Sequence, residues 1–146
     1  MNTPHDGQSS SALATLLIRF GLWSLVVYLV LGIVLDALHG FKVAWYLEFE
    51  TRRLLWTLAH AHGVLVSVLT IGFGFMIRQV DPAPWQRRTA ASLLAALVLL
   101  PGGFLLGGIY VYGGDPGPGV VLAPIGGALL LVAALSTAIR YRPGRD

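Results

Sequence analysis

The side chains with the most chemical scope in this chain are two histidines, His60 and His62. They sit within Leu54–Ile77, a stretch with no Lys, Arg, Asp or Glu. At a rise of about 1.5 Å per residue it is long enough to cross a hydrocarbon core of roughly 30 Å. An ionisable group at that depth is costly, so it either serves a function or ties two helices together. A neutral imidazole can ligate haem iron or another transition metal, or it can hydrogen-bond a neighbouring helix. The chain has no cysteine, which excludes disulfides, thiolate nucleophiles and cysteine-ligated metals.

Two residues apart means roughly 200° around a helix, so the two rings cannot share one ligand. His60 shares its face with Trp56, Gly63, Val64, Ser67 and Gly74, a stripe of small and weakly polar residues of the kind that lets membrane helices approach. His62 shares its face with Leu58, Leu65, Val66 and Leu69. The expectation is therefore that His60 faces the interior and His62 an edge or a neighbouring subunit. Tyr110 and Tyr112 follow a Gly-rich segment that begins at Pro101-Gly-Gly, and they suit an interfacial aromatic belt. Glu48 and Glu50 read as solvated acids, close enough in sequence to a histidine to pass protons. Asp36 and Asp115 read as helix-end and turn residues. No P-loop, dinucleotide-binding glycine pattern, HExxH or nucleophile elbow occurs.

The elements that must position these residues follow from composition. Hydrophobic residues make up 55% of the chain and charged residues 12%, against about 25% charged in soluble domains. Residues 1–11 form a polar tail, predicted disordered. Membrane segments are predicted at about 12–35, 54–77, 89–112 and 120–139, with a basic tail at 140–146. The absence of Lys and Arg from residues 1–18 argues for a retained first helix, not a cleaved signal. Arg19 lies about two turns inside it and can snorkel to the headgroups. Asp36–Arg53 forms the longest loop, with Gly40 as a helix C-cap, Trp45, Tyr46 and Phe49 at the interface, and Glu48, Glu50, Arg52 and Arg53 meeting water. Pro101 predicts a kink in the third segment. Gly113–Gly119 reads as a tight turn.

Four crossings put both termini on one side. Arg19, Arg78, Arg87, Arg88, Arg140, Arg142 and Arg145 lie there, against Lys42, Arg52 and Arg53 on the other, which predicts cytoplasmic termini. His60, Tyr110 and the Glu pair then gather in the outer half. The net charge of +3 comes from helix-end residues and points to no nucleic-acid partner.

Around the second segment the chain resembles the small four-helix membrane isomerases that include styrene oxide isomerase and hydroxylaminobenzene mutase. The resemblance rests on Trp56, Ala59-His60, Gly63 and Ser67, on Gly107-Gly-Ile-Tyr110, and on Asp115-Pro-Gly-Pro-Gly119. It spans roughly residues 45–139. It implies haem b held by His60 in a homo-oligomer, Tyr110 as a catalytic pocket residue, and ferric iron acting as a Lewis acid on an epoxide oxygen. Trp56, Gly63 and Ser67 would line the cofactor. The family carries an asparagine six residues after the histidine, where this chain has Val66. The resemblance therefore speaks to haem and leaves epoxide isomerisation in doubt.

The sequence thus predicts an all-α, four-helix transmembrane bundle of the inner (cytoplasmic) membrane, homo-oligomeric, binding haem b through His60. Its activity would be isomerase-like, on a small apolar oxygenated substrate that enters from the lipid bilayer. The alternative is a non-enzymatic membrane subunit or scaffold whose histidines serve packing. A small transporter or channel ranks third, because no charge other than Arg19 interrupts the helices.

Overall fold

The computed structural model describes residues 4–141. The chain is all-helical: α1 Pro4–Gly40, a short α2 Ala44–Leu47, α3 Glu50–Met76, α4 Pro84–Ile109 and α5 Leu122–Arg140, the last entered through a 3-10 turn at Pro118–Val121. The four long helices are each long and apolar enough to cross a membrane. They pack in chain order, α1 on α3, α3 on α4 and α4 on α5, with only slight contact between α1 and α4. The helices thus form an open row, with α3 and α4 in the middle and α1 and α5 at its ends.

Lipid tails are as apolar as leucine, so close packing and hydrogen bonds hold such helices together. Glycine permits that packing here. A Cβ on Gly74 would lie 2.8 Å from Ile18 Cγ1, and one on Gly21 would lie 2.7 Å from Ile71 Cγ1. The α4/α5 seam is closer still, with Gly103 against the backbone of Ala123 and Gly126 against that of Leu100. Thus the Gly63/Ser67/Gly74 stripe of α3 is the α1 interface. Leu17, Val66, Leu93 and Leu97 are buried among these seams.

Several boundaries differ from the sequence reading. α1 extends back to Pro4, into the segment read as a disordered tail, and forward past Asp36 to Gly40. The left-handed residue after it is Lys42 (φ 53°), not Gly40, and main-chain bonds from Phe41 to Ala37 and from Val43 to Leu38 close the turn. The expected long loop is mostly helical: α2 fills part of it, and α3 begins at Glu50, which makes Arg52 a helical residue. α4 starts at Pro84, a residue suited to the first helical position, and ends before Tyr110. It runs through Pro101 as one helix. The turn at Gly113-Gly114 has φ of 60° and 99°, closed by paired main-chain bonds between Tyr112 and Asp115. The predicted basic tail lies mainly at residues 142–146, outside the described ones.

Candidate functional site

His60 and Tyr28 interlock α1 and α3. The Tyr28 ring lies over Gly63, where any Cβ would collide with it, and the His60 ring lies over Gly32, where a Cβ would be 2.5 Å from Cε1. The helices are antiparallel, so Tyr28/Gly32 on one and His60/Gly63 on the other form reciprocal ring-over-glycine contacts. The glycines are essential because a ring can rest on a helix backbone only where no side chain intervenes.

Hydrogen bonds fix the imidazole. His60 Nδ1 lies 2.7 Å from the main-chain carbonyl of Tyr28. A carbonyl only accepts, so Nδ1 carries a proton, and in a neutral imidazole the lone pair then falls on Nε2. This is the arrangement in which a backbone carbonyl orients a metal-ligating histidine. Ser67, one turn further on, donates to Gly63 O at 2.7 Å and stays within its own helix.

His62 is bound differently. Its Nδ1 donates back to Leu58 O at 2.9 Å in the same helix, and its ring packs on Phe104 of α4, centroids 5.1 Å apart. The expectation of an outer edge or neighbouring subunit for His62 is corrected: it faces the α3/α4 seam, because α3 is flanked on both sides.

A second cluster surrounds Arg52, which is only 4% exposed and does not meet water as expected. Its Nε donates to Gly108 O at 3.0 Å and its Nη1 to Trp45 O, while the guanidinium stacks 4.0 Å from the Trp45 ring centre. Glu48 lies 3.9 Å away, at ion-pair distance. Trp56 packs against Gly108, gives its Nε1–H to Leu105 O at 3.0 Å, and meets the rings of Trp45 and Tyr46. Gly117 N–H takes Gly107 O at 2.8 Å. Arg52 and Gly117 thus satisfy carbonyls in the last turn of α4, which lack helical donors.

The structure therefore brings His60 and Gly63 together around Tyr28, with Ser67 one turn away. It places Trp56 in the α2/α4 cluster, on a different partner. Tyr110 follows the end of α4 with its side chain 64% exposed, and among the described residues it makes no hydrogen bond with His60. Glu48 is engaged near Arg52, and Glu50 is exposed in the first turn of α3. Sequence reasoning missed Tyr28, Gly32 and Arg52. Their signals were present: Tyr28 and Gly32 stand four apart in an otherwise apolar run, and Glu48 and Arg52 are likewise four apart.

Among the described residues no three or more His, Asp or Glu side chains gather as a metal site. A metal held wholly by side chains does not fit this donor set. A macrocycle such as haem brings its own equatorial nitrogens and would ask the protein for one imidazole. Comparison of the chain with protein-family models, curated proteins and solved structures finds no match.

Proposed function

We propose that this chain is a multi-pass protein of the cytoplasmic membrane that binds haem b through Nε2 of His60. The termini lie on the cytoplasmic side, a reading supported by the basic residues at that end, Arg78, Arg87, Arg88 and Arg140 among them. The observation that carries the haem reading is the Nδ1–H bond from His60 to the Tyr28 carbonyl, which fixes the ring and leaves Nε2 without a hydrogen-bond partner among the described residues. Bound there, haem would supply a Lewis-acidic iron for redox-neutral, isomerase-like chemistry on a small apolar oxygenated substrate.

The chain's own residues have defined tasks in this reading. Tyr28 O holds the imidazole in one tautomer and orientation. Gly32 leaves room for the ring, and Gly63 leaves room for the tyrosine that fixes it. The exposed apolar faces of the row let a substrate arrive from the bilayer, and a homo-oligomer would cover part of them. Tyr110, exposed beyond α4, remains the pocket residue that the resemblance implies.

A second reading, a membrane subunit whose histidines serve packing, is favoured by one observation. Among the described residues every side-chain nitrogen and oxygen closed off from solvent has a hydrogen-bond partner, and the His60–Tyr28 bond ties α1 to α3. A visible spectrum of the chain purified in mild detergent from haem-supplemented cells separates the two. A near-stoichiometric Soret band lost in His60→Ala and kept in His62→Ala supports haem. A colourless, folded protein refutes it and leaves the packing role.

A further inference from the structure

The end of the molecule opposite the Arg52 cluster holds a cavity flanked by two arginines that the haem reading does not use. It measures about 430 Å³ and lies between the start of α4 and the end of α5. Trp85, Arg88, Thr89, Ser136 and Arg140 line it. Arg88 and Arg140 come from different helices, and among the described residues neither has an ion pair or hydrogen bond. The first turn of α4 has no acidic residue and no side-chain cap, so its amide dipoles add to the positive field.

Thr89 is the observation that points to a ligand. The residue is only 3% exposed and lines the cavity; among the described residues its hydroxyl makes no hydrogen bond, and its oxygen is not closed off from solvent. Such a hydroxyl normally returns to its own helix, as Ser67, Thr70 and Thr137 do. Thr89 also lines an apolar groove of about 500 Å³ bordered by Phe73, Leu93 and Ala133. A pocket flanked by two arginines and an apolar groove therefore share one residue, at the end of two membrane-length helices.

We propose that this cavity binds the phosphate headgroup of an anionic phospholipid. Arg88 and Arg140 clamp the phosphate oxygens with charge-assisted hydrogen bonds, and Thr89 and Ser136 donate their hydroxyls. Trp85, packed edge-on against Phe73 at 6.2 Å between ring centres, marks the headgroup level. An acyl chain takes the groove beyond Thr89.

The test uses the full chain in mild detergent, with phosphatidylglycerol, phosphatidylcholine and inorganic phosphate as probes. Retained lipid is counted by native mass spectrometry and thermal stability is followed in parallel. Phosphatidylglycerol is expected to be retained in preference to phosphatidylcholine and to raise the melting temperature. R88Q/R140Q should weaken its retention roughly tenfold or more. K42Q/R53Q, which removes equal charge at the other end, should leave it unchanged. T89V keeps the side-chain volume and should weaken retention several-fold, which covers the case in which the double variant fails to fold. Equal retention of phosphatidylcholine, or equal loss in K42Q/R53Q, would overturn the site. Displacement of phosphatidylglycerol by an equal concentration of inorganic phosphate would overturn the lipid assignment.

Discussion

Tyr28 of α1 and Pro101 of α4 form a matched pair. Proline has no amide hydrogen, so Pro101 leaves the carbonyl of Leu97, four residues back, without its helical donor. The hydroxyl of Tyr28 reaches across and donates to that carbonyl at 3.0 Å. One residue thus presents its main-chain carbonyl to His60, its ring to Gly63 and its hydroxyl to the gap in α4. α4 can run through a proline because another helix meets the bond the proline forfeits.

This pairing predicts a coupled double-mutant cycle. Tyr28→Phe should cost about 0.5–1.5 kcal/mol in equilibrium unfolding in mixed micelles. In a Pro101→Ala background the amide of residue 101 can donate to Leu97, and the same change should cost much less. Equal costs in both backgrounds would show that the hydroxyl does not serve that carbonyl.

Adjacent glycines should differ sharply. Gly103→Ala and Gly126→Ala drive a methyl into facing backbone and should destabilise the α4/α5 pair by about 1–3 kcal/mol. Gly102→Ala and Gly127→Ala have open space at the new methyl and should be neutral or stabilising by up to about 1 kcal/mol. Thermal unfolding of the four variants in one detergent reads the contrast.

Gly32→Ala should separate the roles of His60. The added methyl would lie 2.5 Å from His60 Cε1, and the ring must move. If His60 ligates haem, the Soret band should weaken or shift while helicity by circular dichroism persists. Gly72→Ala, which meets open space on α3, should leave both signals unchanged.

Arg52 should tolerate no conservative replacement. Arg52→Lys loses the planar fork that reaches Gly108 O and Trp45 O together, as well as the stack on Trp45. A loss of about 2–4 kcal/mol is expected, from the abandoned carbonyls and the undocked α2. Trp fluorescence and protease cleavage between residues 41 and 49 report it. Wild-type protection in the Lys variant would show that the contacts at Arg52 are incidental.

The number and approximate position of the long helices were legible because hydropathy is additive along the chain, and a span needs only length and an absence of charge. The ends were less legible. Gly40 looked like a C-cap, yet Lys42 takes the left-handed conformation, because main-chain bonds from Phe41 and Val43 already close the turn. Asp36–Arg53 looked like a loop because its charges interrupt the hydropathy. Arg52 escapes that rule by spending its charge on two carbonyls and a tryptophan face.

By itself the sequence determined that this chain makes four apolar, membrane-length helices, with its histidines in the second. The tertiary structure decided what each histidine touches. In a bilayer the lipid-facing side of a helix is as apolar as the packed side, so periodicity carries little information about partners. Only the close approach of α1, α3 and α4 sets the Tyr28 carbonyl beside His60, Phe104 beside His62 and the Tyr28 hydroxyl beneath the gap at Pro101.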